Sequence, residues 1–229
     1  MKTLSAVVPM LNEAAIIAST LGALRRGAPD AEIVVVDGGS IDLSVAIAQP
    51  LCDTVIGASR GRAHQMNAGA RASHGDALVF VHADTIVPSS FAADIASALS
   101  DPAVVGGRFD VKLDASALPY RIIGAMISLR SRISRTGTGD QAIFVRREVF
   151  DRLGGFPDLE LCEDLEFTRR LKRAGRVACL RARVTTSARR WNRDGVVRTI
   201  VRMWLIRAMY LMGVAPARLK RMYSDTRQP

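Results

Sequence analysis

The sequence predicts an α/β fold, in which a mostly parallel central sheet has flanking helices and is followed by a C-terminal amphipathic helix. Strand-like apolar runs alternate with helical segments through the first half of the chain, which is the pattern of right-handed βαβ crossovers. The run at 33–36 (IVVV) is continuously apolar, as expected for a strand that is buried on both faces. In open α/β sheets ligands bind beyond the carboxyl ends of the strands, so we expect the functional residues there.

The individual elements follow from the period of the apolar residues. Residues 13–26 carry apolar side chains at helical spacing, which predicts a surface helix. The same reasoning predicts strands at 4–8, 32–36, 54–56, 77–81, 104–111, 141–146 and 177–180, and helices at 42–48, 61–72, 119–133, 148–153 and 163–174.

The length of 229 residues is sufficient for one sizeable core, and no Ser/Gly-rich linker or internal repeat divides it. An apolar content of 48% argues against disorder. We therefore predict one domain at 1–191 and a basic amphipathic extension at 192–229.

The formal charge of +10 is unevenly distributed. Residues 169–229 contain seventeen Lys and Arg against two acids, whereas residues 1–168 contain fifteen against twenty. A basic segment suits nucleic acid, an anionic membrane surface or a phosphorylated substrate, and it is equally typical of a solvated surface.

The three cysteines and the N-terminus predict a cytoplasmic protein. The cysteines are widely spaced without a CxxC motif, which is typical of a reducing compartment. The first apolar run is short and contains Pro9 and Glu13, unlike a signal peptide. The sequence has no run of 18 uncharged apolar residues, so it predicts no membrane span.

Acidic residues and a histidine follow two of the predicted strands. Asp37 precedes Gly38 and Gly39, so it could bind a base or ribose, or it could cap a helix. In an extended segment His82 and Asp84 would point to the same side, where they could hold Mn²⁺ or Mg²⁺. The alternative is a cap for the following segment.

Two further clusters carry candidate chemistry. Glu163 and Asp164 open a helix after a Gly-rich turn, where they could supply a general base or simply complement the helix dipole. Arg62 lies in a segment of small residues and could pair with phosphates.

Five motifs in order resemble the inverting glycosyltransferases of family 2, which have the GT-A fold. They are VPMLNE at 8–13, VVDGGSID at 35–42, GRAHQMNAG at 61–69, HAD at 82–84 and the Glu163-Asp164 pair, within a resemblance that covers 4–191. The HAD form is similar to that of the short bacterial radical-SAM/selenodomain-associated transferases.

The resemblance implies a role for each matching residue. A nucleotide-diphosphate sugar would be bound by Pro9, Asn12, Glu13, Asp37, Arg62, Asp84, Arg190 and Trp191. Asp84, with His82, would hold a divalent metal ion, and Asp164, beside Glu163, would be the catalytic base. Gly139, Asp140 and Gln141 resemble the acceptor-side segment.

This sequence departs from the family pattern in two places. His82 stands where the DxD motif has its first aspartate, so one carboxylate is replaced by an imidazole. The last motif reads Ala188-Arg189-Arg190-Trp191 and does not begin with glutamine.

Residues 196–214 form a helical pattern with three arginines as its only charges. The pattern is compatible with a helix in a membrane interface or with one packed on the core. Lipid-linked acceptors are frequent in the family, which would give a peripheral membrane helix a purpose.

Two other classes of protein share some of these features. A sugar nucleotidyltransferase also uses strand-end acids, but its Gly-rich loop with a following Arg or Lys is missing after the first strand. A nucleic-acid-binding module would explain the basic charge, yet aromatic residues are only 5% and no such motif occurs, so no nucleic acid is expected as a partner.

Overall fold

The computed structural model describes residues 3–220 and 222, which form a mixed sheet covered by helices on both faces. The end of the predicted extension, at 221 and 223–229, lies outside the described residues. The eight strands are β1 (Leu4–Met10), β2 (Glu32–Asp37), β3 (Thr54–Gly57), β4 (Ala77–Phe80), β5 (Thr85–Ile86), β6 (Val104–Leu113), β7 (Ile143–Arg146) and β8 (Arg176–Thr186). Their order across the sheet is β3-β2-β1-β4-β7-β6-β8-β5.

Ten α-helices connect or follow these strands within the described residues. They are α1 (Ile17–Gly27), α2 (Ser44–Ala48), α3 (Arg62–Ala72), α4 (Phe91–Leu99), α5 (Leu118–Ser134), α6 (Arg147–Arg152), α7 (Glu163–Ala174), α8 (Arg189–Asp194), α9 (Val196–Leu211) and α10 (Pro216–Lys220). Two short 3₁₀ helices span Gln49–Leu51 and Gly139–Gln141.

The core lies on both faces of the sheet because side chains alternate along each strand. In β1, Ala6 and Val8 pack with α1 and α4, whereas Val7 faces α3 on the other side. Gly69 lets α3 approach closely, since a Cβ there would collide with Val7. This explains why the sequence of α3 is rich in small residues.

The first four strands pair in parallel, as the sequence predicts, so β1, β2 and β4 end at one edge of the sheet. Strand β7 then runs antiparallel to β4, with Ile143 opposite Phe80. The segment before β7 therefore lies at the same edge as the segment after β4. Similarly, β8 ends where Thr186 pairs with Thr85, just beyond Asp84.

Some predicted boundaries differ from the structure. The first helix begins at Ile17, not residue 13, because Asn12 has a positive φ of 51° and residues 14–16 form a turn. Strand β5 and helix α4 were not predicted, and β8 extends six residues beyond the predicted end at 180. Pairing with β6 stabilises that extension, which sequence period alone does not reveal.

No helix in the described part of the chain has the length and apolarity to cross a bilayer. Helix α9 packs on the rest of the protein through two small clusters. Its residues Val196 and Ile200 pack against Leu113 and Ile123, and its Ile206 packs with Leu161 and Leu219. Its outer surface remains apolar and exposed. The division of the chain at residue 191 stays a prediction.

Candidate active site

A cavity of about 250 Å³ opens at the carboxyl edge of the sheet, between α5, α7 and α9. Charged and polar side chains from seven separate segments line it, together with apolar residues that come mostly from α5 and α9. The ionisable residues in the lining are Arg62, His82, Asp84, Arg130, Asp140, Cys162, Glu163, Asp164, Arg189, Arg190 and Arg207.

His82 and Asp84 both line this cavity, but the segment is not extended as the sequence suggested. The backbone N–H of Thr85 donates to the carbonyl of His82 at 3.0 Å, which makes residues 82–85 a turn. The expected alternation along an extended chain is therefore wrong here. A turn still presents both side chains to the cavity because β5 reverses direction immediately afterwards.

A guanidinium bridges two of the predicted donor-site acids. Nη2 of Arg189 lies 2.7 Å from Oε2 of Glu13 and 3.2 Å from Oδ2 of Asp84. The Glu13 side chain is completely buried, whereas that of Arg189 is about half exposed. The positive charge thus holds two carboxylates from different strand ends together.

The other predicted nucleoside residues lie on the neighbouring strand ends. The described residues that line the cavity do not include Pro9, Asn12, Glu13 or Asp37. Pro9 is buried in β1 opposite Val36. The amide oxygen of Asn12 accepts a hydrogen bond from Ile41 N–H at 3.0 Å, which ties this end to the loop after β2.

Asp37 organises the loop that follows it. Its carboxylate accepts hydrogen bonds from Gly39 N–H at 3.0 Å and from the Ser40 hydroxyl at 2.5 Å. Gly39 has a φ of 92°, a conformation that favours glycine. These bonds close the loop after β2, while the nucleoside-binding role of Asp37 stays a prediction.

Asp164 is held at the start of α7 by two backbone donors. Its Oδ2 accepts from Gly139 N–H at 2.7 Å, and its Oδ1 accepts from Leu165 N–H at 2.6 Å. The contact with Gly139 joins the predicted catalytic base to the predicted acceptor-side segment. These are residues 25 positions apart that the antiparallel β7 brings to one edge.

Glu163 is buried beside Asp164. Burial, and then the negative charge of Asp164, raise the pKa of Glu163 to about 7, although the Arg62 charge opposes this rise. A buried carboxyl group favours its neutral form because the interior solvates a charge poorly. Glu163 therefore changes protonation near neutral pH.

The three residues of the predicted acceptor segment have different surroundings. Gly139 lies against the His82 ring, and a Cβ at this position would collide with His82 Nε2. The Asp140 side chain lines the cavity, and burial raises its pKa. Gln141 is fully buried and donates to the Phe109 carbonyl at 3.2 Å and the Ser131 hydroxyl at 2.9 Å. Gln141 thus anchors the segment from within the core.

Arg62, Arg190 and Trp191 also line the cavity. Arg62 begins α3, directly after Gly61, whose φ is 139°. Trp191 in α8 packs against Ala188 and Ile123, which covers one side of the cavity. Two segments that are remote in the sequence, α3 and α8, thus line the same cavity as Asp164 and Asp84.

The side chains at Asp84 fit a divalent cation that is shared with a ligand. Within residues 3–220 and 222, no group of three or more His, Cys, Asp or Glu forms a complete metal cage. Mg²⁺ commonly needs only one or two carboxylates when substrate phosphates supply further oxygens. Asp84 supplies one carboxylate, and the neighbouring His82 could add an imidazole nitrogen.

Three arginines that line the cavity were not predicted as site residues from the sequence: Arg130, Arg189 and Arg207. The motif assigned the charge to Arg190, whereas Arg189 makes the contacts with Glu13 and Asp84. Arg130 and Arg207 belong to α5 and α9, each of which carries three arginines, so the sequence contained no signal for which of them reach the cavity.

The sequence profile of Glycosyl transferase family 2 matches residues 5–154, and the chain belongs to that family. The mixed sheet with its flanking helices is the GT-A fold. No curated protein sequence matches the chain. The narrower likeness to radical-SAM-associated transferases stays a prediction.

Solved structures with low sequence identity share this fold. The mannosyltransferase PcManGT from Pyrobaculum calidifontis, in complex with GDP-Man and Mn²⁺, has a TM-score of 0.69 and 22% identity, over 96% of this chain and 68% of that one. TarS from S. aureus, residues 1–349 in complex with UDP, has a TM-score of 0.64 and 20% identity, over 81% of this chain and 60% of that one. The chain therefore matches about three fifths of the TarS structure.

Proposed function

We propose that this protein transfers a sugar from a nucleotide-diphosphate sugar to an acceptor hydroxyl, with inversion at the anomeric carbon. The observation that carries the proposal is that Asp84 and Asp164 line the same cavity. Asp84 lies at the end of the nucleotide-binding half of the sheet, and Asp164 begins a helix on the other side. A diphosphate near the first and an acceptor near the second would place the reacting bond between them.

The donor is expected to lie across the ends of β1, β2 and β4. Pro9, Asn12, Glu13 and Asp37 would hold the nucleoside, and Arg62, Arg190 and Trp191 would contact the diphosphate. The structural relatives bind UDP and GDP-Man at the same kind of fold, which supports a nucleotide-sugar as the donor class.

The reaction would be a single in-line displacement. Asp164 takes the proton of the acceptor hydroxyl while the oxygen forms a bond to the anomeric carbon. The bond from that carbon to the diphosphate oxygen breaks in the same step, and the bonding electrons leave with the diphosphate. Two backbone N–H groups orient the Asp164 carboxylate for this proton transfer.

A divalent metal ion, Mn²⁺ or Mg²⁺, would be held by Asp84 with His82 and, when bound, would neutralise charge on the departing diphosphate. The chain supplies further positive charge itself. Arg189 and Arg190 line the same part of the cavity and can donate hydrogen bonds to phosphate oxygens.

We further propose a peripheral position on the cytoplasmic face of a membrane. Helix α9 exposes Val197, Val201 and Leu205 on one face, and α5 exposes Leu118 and Ile122. The uneven basic charge would favour an anionic lipid surface. Such a position would bring a lipid-linked acceptor to the mouth of the cavity.

A screen of UDP-, GDP-, TDP- and CMP-sugars with and without Mn²⁺ tests the donor assignment. A ligand that binds only the folded state raises the unfolding temperature, so a true donor should stand out. Hits would then be assayed for nucleoside diphosphate release. If instead a nucleoside triphosphate and a sugar phosphate gave a nucleotide-sugar, the protein would be a nucleotidyltransferase. Stabilisation by no nucleotide-sugar at all would contradict the proposal.

A further inference from the structure

Two arginines from different helices point into the acceptor side of the cavity. Arg130 is in the last part of α5, and Arg207 is in the last part of α9. Their guanidinium groups hydrogen-bond to hydroxyls of one loop: Arg130 Nη2 lies 3.5 Å from Thr138 Oγ1, and Arg207 Nη2 lies 3.1 Å from Thr136 Oγ1. That loop leads directly to Gly139, which binds Asp164.

Both arginines lie near carboxylates: Asp164 acts electrostatically on both, and Asp140 on Arg130. In the part of the chain that the structure describes, neither guanidinium forms an ion pair with a carboxylate, and Arg130 Nε is buried without a hydrogen-bond partner. Burial, and then the charge of Arg130, lower the pKa of Arg207 to about 10. Burial likewise lowers the pKa of Arg130. A ligand anion next to these partly desolvated cations would further stabilise their charged forms.

The position of the pair separates it from the donor side. Both arginines interact electrostatically with Asp164, the proposed base. By contrast, the cation next to Asp84 is Arg189. An anion at Arg130 and Arg207 would therefore belong to the molecule whose hydroxyl Asp164 deprotonates.

The cavity wall beyond these arginines is apolar. Ile123, Met126 and Ile127 of α5 face Ile200, Met203 and Trp204 of α9 across the opening. Met126 and Trp204 are also about half exposed, so the apolar wall continues to the surface. A ligand that fits this cavity combines an anionic group at the inner end with an apolar chain at the outer end.

We infer that Arg130 and Arg207 form a subsite for the phosphate group of an amphiphilic acceptor, whose apolar chain lies between α5 and α9. This inference rests on the proposed function for the assignment to the acceptor, while the subsite itself depends only on the cavity. A bidentate guanidinium matches the geometry of phosphate oxygens.

The test is calorimetric titration of the full chain with three probes: decyl phosphate, decyl glucoside and inorganic phosphate. The two decyl compounds are used below their critical micelle concentrations. Decyl phosphate is expected to bind at least about tenfold more tightly than either of the others, because only it has both parts. Arg130→Gln and Arg207→Gln should each weaken decyl phosphate binding about tenfold. Equal affinity of the wild type for decyl glucoside would overturn the proposal.

Two exposed arginines supply matched controls: Arg121→Gln on α5 and Arg198→Gln on α9 should leave decyl phosphate binding unchanged. Arg130→Lys and Arg207→Lys keep the positive charge. These variants should therefore retain part of the affinity for decyl phosphate, which tests the subsite even if a glutamine variant folds poorly. The binding of the best nucleoside diphosphate is expected to be the same in all variants. If it weakens in the glutamine variants while decyl phosphate binding does not, the arginines serve the donor and the acceptor assignment is wrong.

The two proposals fail in different ways. If no nucleoside diphosphate binds but decyl phosphate binds in an arginine-dependent way, the proposed function is contradicted and the phosphate subsite is supported. Normal binding of nucleoside diphosphates without binding of decyl phosphate would contradict the subsite alone.

Discussion

Arg189 Nη2 lies 3.2 Å from Asp84 Oδ2, so the acid predicted to hold the metal ion already has a cationic partner. The same nitrogen binds Glu13 at 2.7 Å, which keeps the guanidinium in place. A metal ion at Asp84 would have to compete with this contact or share the carboxylate with it. The donor-free protein therefore has a built-in electrostatic competitor for the metal.

The first prediction concerns this competition. Arg189→Gln should strengthen Mn²⁺ binding in the absence of donor by about three- to tenfold. The gain is modest because Arg189 is about half exposed, so solvent weakens its ion pair with Asp84. Free Mn²⁺ measured by electron paramagnetic resonance gives the affinity directly. Arg193→Gln, on the same helix, is the control. Weaker Mn²⁺ binding in Arg189→Gln would mean that the arginine supports the metal site.

The second prediction concerns the proposed base. Asp164→Asn should lower kcat by roughly 10²- to 10⁴-fold, because the amide cannot accept the acceptor proton. Donor binding measured by titration should be nearly unchanged. Asp151→Asn, at an exposed aspartate of α6, is the matched control. A wild-type rate in Asp164→Asn would show that another group takes the proton.

The third prediction concerns Glu163 and the pH dependence of stability. Its pKa is about 7 in the folded protein against an ordinary 4.5, so between these values the folded state holds a proton that the unfolded state releases. The contribution of Glu163 to the free energy of unfolding is therefore complete below about pH 4.5 and falls as the pH rises to about 7. Asp164 and Arg62 are the charged groups that influence it.

Glu163→Gln should remove this contribution, which amounts to about 2–3 kcal/mol between the two limits. Urea unfolding at about pH 5 and about pH 8 measures the difference. Glu148→Gln, at an exposed glutamate of α6, should retain the wild-type pH dependence. A Glu163→Gln protein with the same pH dependence as the wild type would show that folding does not raise the pKa of Glu163.

The fourth prediction concerns the close approach of Gly139 to His82. Gly139→Ala should cost about 1–3 kcal/mol of unfolding free energy, because the added Cβ displaces the imidazole or the 3₁₀ turn. If the turn shifts, the backbone N–H of residue 139 also moves away from Asp164, and we expect kcat to fall. At Gly57 a Cβ meets nothing within 4 Å, so Gly57→Ala is the control for stability. Unchanged stability in Gly139→Ala would mean that His82 moves freely.

The fifth prediction concerns membrane contact. Replacing Val197, Val201 and Leu205 with serine should reduce pelleting with anionic vesicles about tenfold or more, since these exposed side chains of α9 do not line the cavity and would contact the lipid instead. Leu43→Ser removes an exposed apolar side chain from another surface and should have no effect. If the triple variant pelleted like the wild type, the exposed face of α9 would not bind lipid.

The extension has less free positive charge than its sequence indicates. Of the three arginines in α9, Arg202 forms an ion pair with Asp194, and Arg207 faces the cavity. Arg198 is exposed. A helical pattern shows which charges share a face, but it does not show which of them have partners in the tertiary structure.

The parallel half of the fold was predictable from sequence because its cause is local. A continuous apolar run such as 33–36 needs burial on both faces, and the helices between such runs force a parallel sheet. The strand-end positions of Asp37 and Asp84 follow directly. The turn at His82 was not predictable, because β5 exists only through its pairing with the distant β8.

The sequence by itself determined the family, the parallel strands and the acids that stand at their ends, since these depend on neighbouring residues and short motifs. Only the tertiary structure decided which charges meet. Arg189 reaches Glu13 and Asp84 because β8 ends beside β5, and Gly139 binds Asp164 because β7 runs antiparallel to β4. Contacts between residues 25 to 176 positions apart depend on strand pairing and packing, which no local pattern encodes.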